Sequence, residues 1–209
     1  QFGVVEQTED GRIVRFVEKP PRGEAPSNRI NAGIYIMERD VLREIPAGRE
    51  VSIERETFPA LIAAGHRVQG AMVGGYWMDM GTSERYRRIH WDLLDGKLEL
   101  DLPGREPGRG IRIGEGTEIA QGAMLVPPVL VGSRVKIGER AVVGPYAVIG
   151  DDCVIGRGAR VTHSILWDRC TAAEAAQLNR CIVGSGLKID PRHLLHEAVL
   201  NVIPEAETI

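Results

Sequence analysis

The chain has 209 residues, 43% hydrophobic and 26% charged, which is enough apolar content to build a core in one large domain or two modest ones. A net charge of -3 with dispersed lysines and arginines leaves no basic face for nucleic acid or for a membrane surface. No apolar run approaches the ~18 residues of a membrane span, no basic-then-apolar signal opens the chain, and three cysteines without a C-x-x-C pair suit a reducing, cytoplasmic setting.

In chain order, G-V-V-E-Q (3–7) and R-I-V-R-F-V-E (12–18) flank an Asp10-Gly11 turn, a hairpin signature. I-N-A-G-I-Y-I-M (30–37) predicts a third strand. Helical spacing covers 40–45 and 52–64, the second kinked near Pro59 and stopped by Gly65. Residues 67–73 read as another strand. Residues 83–94 read as a helix with Tyr86, Ile89, Leu93 and Leu94 on one face and Gly96 past its end. Strands alternate with helices, as in an α/β layer fold.

The stretch G-G-Y-W-M-D-M-G-T (74–82) sets one carboxylate, Asp79, in a run that otherwise reads as core. Desolvating an unpaired charge costs several kcal/mol or more, so Asp79 needs a partner. Backbone N–H groups of a following turn, one of Arg85, Arg87 or Arg88, or a metal ion each satisfy that need.

Residues 96–111 carry the Pro and Gly of a linker. From Ile113 a period of six takes over: Ile119, Leu125, Val131, Ile137, Val143, Ile149, Ile155 and Val161 follow without a miss. Small or β-branched residues (Thr117, Ala123, Val129, Val135) recur four places later, and glycines (114, 132, 138, 144, 150, 156) directly after. Six residues per face make a three-sided prism, the hexapeptide repeat of a left-handed parallel β-helix, expected over 112–190. The glycines are expected to sit at corners and supply backbone freedom. The phase slips by one at Leu166 and again at Val183 and ends near Ile189, giving about four coils. H-L-L-H-E (193–197), within 191–209, is expected to form an amphipathic cap. Flat stacked faces and uncapped ends favour a homo-oligomer through the β-helix.

The first half also carries five ordered blocks: F-G-V-V-E (2–6), D-G-R-I-V-R-F-V-E-K-P (10–20), N-A-G-I-Y (31–35), S-I-E-R-E-T-F-P (52–59) and G-Y-W-M-D-M-G-T (75–82). This series resembles the sugar-1-phosphate nucleotidyltransferases, and most of all their mannose-1-phosphate guanylyltransferase branch, in which a hexapeptide β-helix also follows the catalytic domain. The resemblance implies that residues 1–95 are the sugar-phosphate part of a Rossmann-like α/β catalytic domain. It implies Gly3, Glu18, Asn31 and Gly33 at the sugar, Lys19 at its phosphate, and Asp79 as a ligand of Mg²⁺. The implied substrates are a sugar 1-phosphate and a nucleoside triphosphate. The family's Gly-rich loop and the Lys and first metal-binding Asp that follow it fall before Gln1. The chain is therefore expected to be the C-terminal portion of a longer enzyme and inactive alone.

Two other functions fit a hexapeptide prism. One is acyl transfer from acyl-coenzyme A with His163 of V-T-H-S-I-L as general base. The other is a non-catalytic oligomerisation or regulatory platform.

Overall fold

The computed structural model describes residues 2–201. The chain forms two compact units that divide between Trp77 and Met78.

The first unit is built on an antiparallel hairpin of β1 (Val4–Gln7) and β2 (Ile13–Val17), with Val4 opposite Val17 and Glu6 opposite Arg15. Its turn closes through Thr8 and Arg12, and Gly11 takes the positive φ of +84° that the turn requires. An extended segment flanks each edge, but only briefly: Ile30 bridges Val4 and Gln69 bridges Arg12.

The strands expected at 30–37 and 67–73 are thus reduced to single bridges. After Asn31 the backbone turns, with the Gly33 N–H on Asn31 Oδ1 at 3.0 Å and Gly33 at φ +77°. Beyond the bridges Ile34, Ile36, Met72 and Val73 are exposed and pair with no strand of the described residues. A strand persists only where a neighbour satisfies its backbone groups.

The expected helix at 40–45 is a single 3₁₀ stretch, Arg39–Glu44, with no buried residue. The one at 52–64 divides into a wide turn over Ile53–Thr57 and α1 (Phe58–Ala63). Pro59 lies in the first turn of α1, where its missing N–H costs nothing, so it starts the helix and does not kink it. Phe58 and Leu61 of α1, with Val4 and Ile13 of the hairpin, are the buried apolar side chains of this unit.

The second unit holds α2 (Ser83–Leu94) and a parallel β-solenoid. α2 begins where expected, with Thr82 Oγ1 accepting from Arg85 N at 3.2 Å, and Gly96 follows its end at φ +74°. Three sheets of two- and three-residue parallel strands make the solenoid's faces, two of five strands and one of six, the last extended at its edge by the antiparallel strand Arg105–Gly108. Ile111 stands opposite Val129 and Val129 opposite Ala147, two coils of 18 residues. Val148 then stands opposite Ile165, Ile165 opposite Ile182 and Ile182 opposite Val199, three coils of 17. The solenoid therefore makes five turns and not four. The expected cap is its fifth coil, where Leu194–His196 pairs with Gln177–Asn179.

Val129, Val135, Val143, Ile149, Cys153, Ile155, Val161 and Leu178 are at most 1% exposed, stacked inward coil upon coil. Each such Val, Leu or Ile adds about 1.5–3 kcal/mol.

The glycine column has a different cause from the expected one. Gly138 does not turn a corner. A Cβ there would lie 2.8 Å from Arg157 N and 3.0 Å from Gly156 C on the next coil, so glycine is required by close backbone stacking. The corners are four places earlier or two later, at φ near +55° to +60°, and they accept Arg134, Arg140, Tyr146 and Asp152.

Candidate active site

Four of the expected residues meet at the open end of the hairpin in the first unit. Gly3 precedes β1, and Glu18 and Lys19 follow β2, so strand pairing alone sets them side by side. A Cβ at Gly3 would lie 2.6 Å from Glu18 Oε2 and 3.1 Å from the Phe16 ring, so only glycine leaves the Glu18 carboxylate its place. On the other side, Asn31 N donates to Gly3 O at 2.8 Å. Gly33 stands one turn further along, with open space where a side chain would be.

Glu18 is largely enclosed, its side chain 17% exposed, while the Lys19 ammonium reaches out at 59% with Nζ 3.7 Å from Glu18 Oε1. Lys19 is held at φ +50°, a conformation that costs a non-glycine residue about 1–2 kcal/mol. Its N–H donates to Phe2 O at 3.3 Å, which secures that geometry. The hairpin end therefore presents a paired acceptor, a backbone edge, an amide and a projecting cation.

Behind Asn31 lie two residues to which sequence reasoning gave no role. Asn31 Nδ2 donates to the Tyr35 hydroxyl, which donates to Glu54 Oε1 at 3.2 Å. Both stand inside quoted blocks, N-A-G-I-Y and S-I-E-R-E, and that was the signal available. The Tyr35 ring packs on Phe58 at 4.9 Å, and Phe58 on Phe16 at 5.4 Å. Burial pushes the Tyr35 phenol above its ordinary pKa, opposed by the Asn31 hydrogen bond. Trp77 also reaches this region, its Nε1 donating to Ala32 O at 3.3 Å while its ring meets Phe2 edge-on.

Asp79 belongs to the second unit. Two of the three partners considered for it are present: Gly81 N donates to Oδ1 at 3.1 Å, and Arg85 Nη1 lies 2.6 Å from Oδ2. The surrounding run is not core, since Tyr76, Trp77 and Met80 are 38–54% exposed. Asp79 offers a hard oxygen donor that is 44% exposed, beside a glycine that crowds it with no side chain. It suits one position in a divalent-cation shell. No cluster of three metal-ligating side chains occurs among the described residues.

The corner residue His163 sits in an aromatic stack within the second unit, 5.4 Å from Tyr146 and 5.7 Å from Trp91 of α2. Desolvation lowers its pKa, and Arg180 lowers it further. With Tyr146 stacked on its ring and Trp91 edge-on to it, it is a packing residue and not an open general base.

The Nucleotidyl transferase family model matches residues 1–96, and that of the GMPPB C-terminal domain matches residues 125–203. A mannose-1-phosphate guanylyltransferase of Mycobacterium tuberculosis is 48% identical over 96 residues, 46% of this chain and 26% of the relative. Mannose-1-phosphate guanylyltransferase 1 of Arabidopsis thaliana is 42% identical over 101 residues, 46% and 27%. A UTP--glucose-1-phosphate uridylyltransferase of Synechocystis is 34% identical over 118 residues, 54% and 29%. The chain thus spans little more than a quarter of these relatives. Two family matches in this order, with relatives whose names describe transfer of a nucleotide to a sugar phosphate, make the chain similar to the sugar-1-phosphate nucleotidyltransferases, and in particular to the mannose-1-phosphate guanylyltransferases.

Proposed function

We propose that residues 1–95 are the sugar-phosphate half of a nucleotidyltransferase that joins GTP and mannose 1-phosphate to give GDP-mannose and pyrophosphate. The carrying observation is the convergence of Gly3, Glu18, Lys19 and Asn31 on one hairpin end. A phosphate oxygen of the sugar 1-phosphate attacks the α-phosphorus of the triphosphate, and the α–β bond breaks to release pyrophosphate. A dianion is driven against a polyanion, so catalysis is mainly positioning and charge neutralisation.

Each residue has a part in that reading. The Glu18 carboxylate takes two sugar hydroxyls, having lone pairs enough for both. Asn31 and the Gly3 backbone fix the ring, Gly33 leaves that wall low, and Lys19 neutralises the attacking phosphate. Asp79 would hold one position of Mg²⁺, which when bound neutralises charge on the α-phosphate.

The chain spans little more than a quarter of the relatives it matches, so the activity is assigned to the protein that contains this sequence. Three buried free thiols, Cys153, Cys170 and Cys181, favour a reducing cytoplasmic setting. No helix among the described residues is long and apolar enough to cross a membrane. The solenoid is assigned to self-association.

The test is pyrophosphate release by the longer protein containing this sequence, across a panel of sugar 1-phosphates and nucleoside triphosphates, with and without Mg²⁺. GTP with mannose 1-phosphate should lead, and Lys19→Ala should lower kcat/KM by about 10²-fold. Full turnover in Lys19→Ala or Asp79→Ala would remove that residue's role, and acyl transfer from acetyl-coenzyme A would revive the rival reading.

A further inference from the structure

Asn31, Tyr35, Glu54 and Ser52 form a chain of hydrogen bonds leading back from the hairpin end, and its direction can be worked out. A carboxylate accepts and does not donate. Tyr35 must therefore give its single hydroxyl proton to Glu54 Oε1, 3.2 Å away. Having spent that proton, the Tyr35 oxygen can only accept, so the Asn31 atom facing it must be the NH₂ and not the carbonyl. At the other end of the amide, Gly33 N–H at 3.0 Å requires an acceptor and finds Oδ1. The two constraints agree, and they fix an orientation that ring or amide symmetry alone leaves open.

Burial holds the Tyr35 phenol above its ordinary pKa, so the proton needed for this direction is retained at neutral pH. Ser52 Oγ approaches Glu54 Oε2 at 3.5 Å and also accepts from Arg55 N at 3.2 Å, which ties Glu54 to the start of the wide turn. The amide of Asn31 carries two donors and two acceptor lone pairs. One of each is committed inside the protein, leaving one N–H and one lone pair for the open side. That is the complement of a single sugar hydroxyl, or of two neighbouring ones, each of which both donates and accepts.

We propose that Glu54, acting through Tyr35, is a positioning residue that sets which face of the Asn31 amide the sugar meets. This rests on the sugar-site reading of Asn31 above. Glu54 touches no substrate. Exchanging it for glutamine lets either an oxygen or an NH₂ face Tyr35, removes the carboxylate's demand for the hydroxyl proton, and leaves the Asn31 amide held by the Gly33 N–H alone.

The experiment is a double-mutant cycle on the intact chain, with isothermal titration of mannose 1-phosphate against wild type, Asn31→Ala, Glu54→Gln and the double variant. Asn31→Ala is expected to weaken binding about tenfold and Glu54→Gln several-fold, with the double variant no weaker than Asn31→Ala alone. The second measurement needs no ligand: the side-chain amide proton of Asn31 bonded to Tyr35 should be shifted and slow to exchange by NMR. That signature should be lost in both Glu54→Gln and Tyr35→Phe.

If Asn31→Ala weakens binding while Glu54→Gln leaves it unchanged, or if the two effects add, the relay has no role in recognition. If neither wild type nor variants distinguish the sugar phosphate, the sugar-site reading fails. The NMR signature then decides the relay separately, and an Asn31 amide unmoved by Glu54→Gln overturns it.

Discussion

Gly138 and Gly158 stand 20 residues apart in the solenoid and are glycine for opposite reasons. At Gly138 a methyl group meets backbone atoms of the next coil at 2.8 and 3.0 Å, whereas at Gly158 nothing lies within 4 Å and the constraint is φ +67°. Gly138→Ala should cost about 1–3 kcal/mol, as for any overpacked site, while Gly158→Asn, a residue that accepts the left-handed region, should stay within about 0.5 kcal/mol. Urea titration of both variants checks this, and equal costs would refute the separation. The sequence shows the glycines but not which cause applies, because periodicity marks position along the chain and says nothing of how closely two coils approach. Ser164 shows the same limit. It reads as an ordinary polar corner residue next to His163, yet it is fully buried, donating to Thr162 O at 2.8 Å and accepting from Cys181 N at 2.9 Å. Ser164→Ala should cost about 1–3 kcal/mol by leaving the Cys181 N–H unsatisfied. At the candidate site Glu18, Lys19, Asn31, Tyr35 and Glu54 all fall in the five ordered blocks, yet Tyr35 and Glu54 were given no role, since their part depends on a contact between residues 19 apart in the chain.

α2 was predicted to the residue at both ends, with Gly96 trailing it, and the structure adds the Thr82 cap at its start. Its buried face was not. Tyr86, Ile89, Leu93 and Leu94 are only half-buried, and the fully buried helix residues are Arg87 and Asp92. Arg87 Nη1 donates to Arg180 O at 3.1 Å and Nη2 pairs with Glu84 at 2.8 Å, while Arg180 lies over the Trp91 ring at 5.3 Å. Trp167 Nε1 completes the contact on the Tyr86 hydroxyl at 3.1 Å. Hydrophobic periodicity is blind to docking of this kind, in which guanidinium stems and aromatic edges do the covering. The contact also carries a pH dependence. Burial lowers the pKa of His90, whose Nδ1 donates to Tyr86 O at 2.8 Å, and desolvation likewise lowers that of His163. A histidine depressed on folding favours the neutral form. Its stabilising effect is therefore complete above the ordinary histidine value of 6.5, and is lost as the pH falls from there through the folded value. The melting temperature of the second unit should drop on going from pH 8 to pH 5. It should drop less in His90→Gln, and an equal drop in both would place the titration elsewhere.

Across the whole chain, what could be read from the sequence follows from how repetitive each half is. The solenoid announced itself through a six-residue period, and the one-residue slips at Leu166 and Val183 are the steps by which coils of 18 become coils of 17. The fifth coil was missed because its inward residues, Leu195 and Leu200, are flanked by the exposed Leu194 and Val199, so the apolar pattern blurs where stacking ends. In the first unit the pattern was present but its partners were not: Ile34, Ile36, Met72 and Val73 are 77%, 101%, 71% and 79% exposed. Strand-forming side chains so placed are what a sheet presents to neighbouring strands, and the M. tuberculosis relative extends well beyond the 26% of its length matched here. A single substitution separates this account from one in which these side chains simply face water. In the 209-residue chain Ile36→Ser removes no buried contact, so its unfolding free energy should change by no more than about 0.5 kcal/mol. In the longer protein the same change should cost about 2–4 kcal/mol, the penalty of deleting a buried aliphatic side chain. Hydrogen exchange should agree, with the amides of residues 34–37 and 71–74 exchanging fast in the shorter chain and protected in the longer one. Equal exchange and equal stability in both contexts would mean that nothing covers this surface.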